Sequence, residues 1–137
     1  MKKILVLCTG NSCRSQMADG YLKKYAKGRA KIYSAGIETH GVNLKAIEVM
    51  KEDGVDISGN LSNNVSEYRN IDFDYVITVC DNANEQCPVF PSSVKKIHHN
   101  FPDPAKATGS DEEVMQQFRI VRDQVKKFSE EFVKRLP

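Results

Sequence analysis

The residues in this sequence best suited to covalent chemistry are its four cysteines, Cys8, Cys13, Cys80 and Cys87, together with Arg14. A thiolate is a strong nucleophile and a participant in disulfide exchange. Cys8 opens the octet Cys8-Thr9-Gly10-Asn11-Ser12-Cys13-Arg14-Ser15, directly after the apolar run Ile4-Leu5-Val6-Leu7. That order reads as a buried strand, a small polar loop and a helix. Such a loop can wrap its backbone N–H groups around a tetrahedral oxyanion at the helix N-terminus. Arg14 adds a planar fork of donors matched to an oxyanion edge. The helix N-terminus, the Arg14 charge and hydroxyl donors such as Ser15 would favour the Cys8 thiolate. Asn11 tolerates a left-handed backbone and can brace the loop with its amide. Cys80 stands directly after a second apolar run, Tyr75-Val76-Ile77-Thr78-Val79, and Cys87 lies in the polar stretch beyond it.

The elements that must position these residues alternate strand and helix. Lys3–Leu7 reads as the first strand, apolar as a parallel strand covered on both faces should be. A helix is expected from about Ser15 to Lys27, with Met17, Ala18, Tyr21, Leu22 and Tyr25 on one stripe and Gly28 as its stop. Ala30–Ala35 is the second strand, ended by Gly36. Asn43 caps a second helix whose buried face is Leu44, Ile47 and Met50, closed by Gly54. Asp56–Asn70 is polar and holds at most a short helix around Ser62–Arg69. Tyr75–Val79 and a weaker Val94–His98 complete four strands. After a Pro- and Gly-punctuated loop, Ser110 and Glu113 form a capping box. Val114, Phe118, Val121, Val125, Phe128 and Phe132 then mark the core stripe of a last helix. Four strands with crossover helices predict a doubly wound α/β domain, whose ligands bind beyond the C-terminal strand ends. Cys8 and Cys80 both occupy such ends. Neighbouring strands lie about 4.8 Å apart, so if the first and third strands are adjacent the two sulfurs can meet.

Composition narrows the function classes. A chain of 137 residues fits one domain spanning 1–137 with a genuine core. Its apolar fraction of 40% and charged fraction of 28% are those of an ordinary soluble protein. A net charge of +2, with lysines interspersed among acids, argues against nucleic acid or a membrane surface as partner. The apolar run after Met1-Lys2-Lys3 is too short for a signal peptide, so a cytoplasmic location is expected. Cytosolic cysteines point to catalysis, redox chemistry or metal. With no Cys-x2-Cys pair, and with His40, His98 and His99 outside zinc-ligand spacing, chemistry at sulfur is the reading that remains.

The octet, continued through Gln16-Met17-Ala18, resembles the signature of the thioredoxin-coupled arsenate reductases, which share the low-molecular-weight tyrosine phosphatase fold. The resemblance extends through Tyr33-Ser34-Ala35-Gly36-Ile37-Glu38-Thr39-His40-Gly41-Val42-Asn43, the Cys80/Cys87 pair, Asp103-Pro104 and Phe118-Arg119-x-Val121-Arg122-Asp123. It implies a single α/β domain with helices on both faces of a four-stranded parallel sheet ordered 2-1-3-4. It also implies a three-cysteine relay. Cys8 attacks arsenate held by the loop (Thr9, Gly10, Asn11, Ser12, Cys13, Arg14, Ser15), and Asp103 protonates the leaving oxygen. Cys80 then displaces arsenite as a Cys8–Cys80 disulfide forms, and Cys87 converts this to Cys80–Cys87, which thioredoxin reduces. The segment Asp81–Gln86 is short and polar enough to rearrange for that last exchange. Cys13 has no step in the relay and reads as a loop-packing residue.

The resemblance requires no cofactor and implies a monomer. It allows a weak potassium site at Asn11, Asp19 and Ser34, with Asn63 or Asn64 where relatives carry a further acid. The shorter Asp19 and the lost charge weaken that site. Two other classes of function compete. A low-molecular-weight tyrosine phosphatase would need only the loop, Arg14 and Asp103, with water resolving a phosphocysteine. Ala105 stands where such enzymes tend to carry an aromatic, and they have no use for the later cysteines. A non-catalytic redox sensor or oxyanion-binding module is the third reading.

Overall fold

A computed structural model describes all 137 residues. Strands β1 (Lys2–Cys8), β2 (Ala30–Gly36), β3 (Tyr75–Thr78) and β4 (Lys95–His98) form one parallel sheet ordered β2-β1-β3-β4. The fold class and strand order expected from the sequence are those observed. β1 lies between two neighbours, and Ile4, Leu5, Val6 and Leu7 are each 0% exposed, which is why the run carries no polar alternation. β4 is an edge strand with exposed Lys95 and Lys96, so its apolar signal is weak; edge lysines also discourage pairing with another chain. Both sheet faces are covered. Tyr75 packs edge-on against Phe132 of the last helix, while Tyr33 packs against Tyr68 and Phe73.

Helix α1 (Arg14–Ala26) buries Met17, Ala18, Tyr21 and Leu22 and ends at Lys27, whose φ of +50° precedes Gly28 at +81°. Helix α2 (Leu44–Glu52) is capped by Asn43 Oδ1, which accepts from the N–H groups of Lys45 and Ala46. Its buried face differs from the expected Leu44, Ile47 and Met50. Ala46, Val49 and Met50 are buried, and Leu44 is exposed. Both sets have helical spacing and share Met50. Small Ala46 permits close approach, and Arg122 donates to the Val49 carbonyl from the last helix, fixing the roll of α2.

A five-residue helix α3 (Asp81–Glu85), not foreseen from its polar sequence, follows Cys80. Its Ala83 is fully buried and anchors it. The last helix, α4 (Asp111–Lys134), starts at the Ser110–Glu113 capping box and buries Phe118, Val121, Val125 and Phe132. Short 3-10 turns lie at Val65–Tyr68 and Pro104–Lys106. No helix is long and apolar enough to cross a membrane.

Candidate active site

The C-terminal ends of β1 and β3 open into a cavity of about 730 Å³, lined by Cys8, Thr9, Gly10, Ser12, Cys13, Arg14, Cys80 and Asp103 among others. The loop between β1 and α1 owes its shape to where its carbonyls go. Thr9 O accepts from Glu38 N–H, Gly10 O from His40 N–H, and Ser12 O from Asn43 N–H. Asn11 O accepts from Gln16 Nε2 and from the Ser62 hydroxyl. Every one of these carbonyls is tied outward, to the segment after β2, to Ser62 or to α1. The backbone N–H groups from Gly10 to Ser15 donate to no carbonyl in the chain. They form the concave row of donors that an oxyanion requires.

Asn11 is the keystone. It takes φ of +49° and is wholly buried. Its Nδ2 donates to Ser15 Oγ at 2.8 Å, and its Oδ1 accepts from Asn63 N–H at 2.9 Å. Ser15, expected to support Cys8, accepts from Asn11 and keeps its own hydroxyl proton to donate. The hydroxyl beside the sulfurs belongs to Thr9.

Cys8 Sγ and Cys80 Sγ lie 3.6 Å apart, at hydrogen-bonding distance. Thr9 Oγ1 is 3.3 Å from Cys80 Sγ, and Ala83 N–H donates to the same sulfur at 3.4 Å. Asn82 Nδ2 holds Thr9 Oγ1 at 2.9 Å. The hydrogen bond from Cys8, then those from Thr9 and Ala83, lower the Cys80 thiol to about 5. The same hydrogen bond, with burial, raises Cys8 above the ordinary thiol range. The two sulfurs act as one acid that gives up its first proton readily and its second with difficulty. Burial, with the Asp103 charge nearby, pushes Cys13 up to about 12, so it stays a thiol.

Arg14 Nη1 donates to the Phe101 carbonyl at 3.0 Å, and Nη2 lies 3.6 Å from Asp103 Oδ2. Arg14 therefore anchors the segment that carries Asp103 over the cavity. Asp103 Oδ1 accepts from Ala105 N–H, capping the 3-10 turn, and leaves Oδ2 toward the site. Cys87 is half-buried and does not line this cavity; α3 stands between it and Cys80.

Of the residues named for potassium, Asp19 and Asn11 already have partners, while Ser34 lines a cleft beside Asp19 and Asn63. Asp19 Oδ2 contacts Lys23 Nζ at 3.0 Å and accepts from Asn60 Nδ2 at 3.1 Å. Asn11 Oδ1 is taken by Asn63 N–H, and Asn64 caps the 3-10 turn that follows it. The Lys23 ammonium supplies a positive charge beside Asp19 with which a potassium ion would have to compete.

Three supporting residues received no role from the sequence. Gln16, fully buried, donates to Asn11 O and Leu61 O and accepts from Asn60. A glutamine beside an apolar helix stripe was the available signal. His40 lines the cavity and covers Gly10, with Nε2 2.7 Å from Glu38 Oε2. Asn82 supports Thr9. Gly36 appears in the sequence as a strand terminator, yet it lies against the loop itself: a Cβ there would be 2.7 Å from Thr9 O and 2.8 Å from Asn11 N.

Similarity to known proteins follows the same outline. The low molecular weight phosphotyrosine protein phosphatase family matches residues 3–137. The arsenate reductase of Halalkalibacterium halodurans is 50% identical over 126 residues, 92% of this chain and 91% of the relative. That of Bacillus subtilis is 47% identical over 131 residues, 96% and 94% of the two chains. A solved structure of an arsenate reductase in its oxidized state superposes with a TM-score of 0.85 at 32% identity, covering 98% of each chain. Vibrio vulnificus Wzb in complex with benzylphosphonate, at 23% identity and a TM-score of 0.83 over 98% of this chain and 99% of its own, shares the fold. The chain belongs to the low molecular weight phosphotyrosine protein phosphatase family, among its arsenate reductase-like members.

Proposed function

We propose that this protein reduces arsenate to arsenite through a relay of Cys8, Cys80 and Cys87, with thioredoxin as the electron donor and a reducing cytoplasm as its setting. The observation that carries this reading is the second sulfur, Cys80, held 3.6 Å from Cys8 on the floor of an oxyanion cradle. A hydrolase has no use for it. The arsenate reductases among the relatives, and the four free cysteines, support the same reading.

The steps balance as follows. Arsenate is held by the loop amides and Arg14, and the Cys8 thiolate attacks arsenic. Asp103 donates a proton to the leaving oxygen, which departs as water and leaves a Cys8–arsenic bond. For this step the remaining proton of the pair resides on Cys80, which Thr9 and Ala83 hold beside the adduct. Loss of that proton gives the Cys80 thiolate, which attacks Cys8 Sγ. The S–As electron pair stays with arsenic, taking it from As(V) to As(III), and two thiols become one disulfide. The sulfurs need close by only about 1.5 Å to reach bonding distance. Cys87 then attacks Cys80 Sγ, Cys8 leaves as a thiolate, and a dithiol donor reduces Cys80–Cys87.

In a coupled assay with thioredoxin, thioredoxin reductase and NADPH, arsenate should drive NADPH oxidation. Cys8→Ser, Cys80→Ser and Cys87→Ser should each abolish it. Full turnover by Cys87→Ser with thioredoxin alone would refute the relay. The loop, Arg14 and Asp103 also suffice for slow hydrolysis of aryl phosphates, as a side activity. A chain that turns over phosphotyrosine peptides efficiently and leaves arsenate unreduced is a phosphatase instead.

A further inference from the structure

Six residues lie between Cys80 and Cys87, and five of them form α3. At 1.5 Å per residue, a helical spacer of this length keeps the two Cα atoms about 10 Å apart. A disulfide tolerates up to about 7 Å. If the relay proposed above operates, α3 must unwind before Cys87 reaches Cys80. Whatever holds α3 therefore decides which partner Cys80 meets.

A hydrogen-bonded chain running from Asp81 at the cavity rim to the sheet edge does hold it. Asp81, the first residue of α3, places Oδ1 2.7 Å from His98 Nε2. His98 Nδ1 lies 2.7 Å from Thr78 Oγ1, which is 1% exposed on β3. Thr78 and His98 are paired in register across β3 and β4, so both are fixed by the sheet. A carboxylate only accepts, so Nε2 donates to Asp81 and, in the neutral ring, Nδ1 accepts from the Thr78 hydroxyl. Asn100 Oδ1 reinforces the contact by accepting from Asp81 N–H at 3.1 Å. Cys80 is thus clamped between Thr78, one end of the chain, and Asp81, the other. Its Sγ is consequently aimed at Cys8, Thr9 and Ala83 N–H.

We infer that Thr78, His98 and Asp81 form a clasp that keeps α3 wound, directing Cys80 to Cys8 first, and whose opening admits Cys87. His98 is a positioning residue of the second exchange, not a catalytic one. The inference rests on the relay reading, but the clasp can be tested without arsenate. In Cys8→Ser protein, Cys80 loses its partner in the cavity, and peptide mapping separates closure with Cys87 from any pairing with the buried Cys13. Oxidised glutathione is the oxidant: one thiolate displaces glutathione to form a mixed disulfide. The second cysteine then displaces the other glutathione, so two protein thiols become a disulfide and one oxidised glutathione becomes two thiols.

The experiment measures the rate of Cys80–Cys87 closure by peptide mapping in Cys8→Ser, alone and combined with Asp81→Ala, His98→Ala or His98→Gln. Loss of one charge-assisted, partly exposed hydrogen bond should speed closure about three- to tenfold in both alanine variants. His98→Gln, whose amide can still donate to Asp81, should return to within about twofold of the parent. Alkylation of buried Cys13, followed in parallel, should stay unchanged, because the clasp acts on α3 and not on the loop. Alanine variants that close no faster overturn the inference. So does equal acceleration at Cys13, which marks general loosening. A Cys80–Cys87 disulfide that forms in no variant removes the relay itself, and the clasp with it.

Discussion

Gly36→Ala isolates the contact between β2 and the nucleophile loop. A Cβ at Gly36 would lie 2.3 Å from Glu38 O, 2.7 Å from Thr9 O and 2.8 Å from Asn11 N, all of them backbone atoms. The closest approach is about 1 Å short of ordinary contact. None of the three atoms can swing aside, because Glu38 N–H bonds Thr9 O, and Asn11 is held by Gln16, Ser62 and Asn63. The strain should cost about 3 kcal/mol and lower Tm by roughly 10 °C. A displacement of about 1 Å at the cradle should cut kcat for arsenate reduction about 100-fold. Gly10→Ala is the matched control. Its Cβ also meets an atom at 2.3 Å, but that atom is His40 Nδ1, at the end of a half-exposed side chain that can rotate. It should change Tm by no more than about 1–3 °C. Both variants are read by thermal unfolding of the reduced protein and by coupled arsenate turnover. Equal Tm and kcat for Gly36→Ala and the parent would refute the packing argument.

Four further outcomes follow from the geometry. Ultraviolet thiolate absorbance of the reduced protein should retain one thiolate down to about pH 5, and Thr9→Val should move that midpoint upward by removing a hydrogen bond to Cys80. Because this folded-state value lies below the ordinary thiol value of about 8.5, that ionisation adds stability as pH rises from about 5 to 8.5. The contribution is lost as pH falls through 5, and Cys80→Ser should flatten the slope in urea titrations. Arg14→Lys loses the contact to Phe101 O and the two-pronged geometry, so kcat/KM for arsenate should fall at least about tenfold while Tm changes little. Ser110→Ala removes an N-cap far from the cavity and should cost about 1 kcal/mol in denaturant unfolding, with turnover unchanged.

The sheet was legible because β1 is covered on both faces, leaving an unbroken apolar run, and because β3 repeats the pattern. The last helix announced itself through Ser110, Glu113 and the spacing of Phe118, Val121, Val125 and Phe132. What escaped was set by tertiary contacts. The roll of α2 depends on Arg122 reaching Val49 O, seventy-three residues away, so Leu44 and Ala46 could not be ranked from their own helix. The helix α3 buries one alanine and is contacted by His98 and Asn100, none of which its polar sequence signals. In the site, the octet displayed Cys8 and Arg14, but the role of Thr9 required Cys80 to be placed beside it. The engagement of Asp19 by Lys23 and Asn60, and of Ser15 by Asn11, likewise depends on rotamers and neighbours that spacing alone leaves open.

The central claim is that Cys8 and Cys80 deliver two electrons to arsenate, and that the resulting disulfide finishes on Cys80 and Cys87. The most direct measurement adds arsenate to the fully reduced protein with no other reductant and follows arsenic speciation together with intact mass and peptide mapping. The account predicts one arsenite per chain, a protein lighter by two hydrogens, and a disulfide mapped to Cys80–Cys87, with Cys8 and Cys13 free. Arsenate recovered unreduced from a protein whose four thiols are all intact would contradict it.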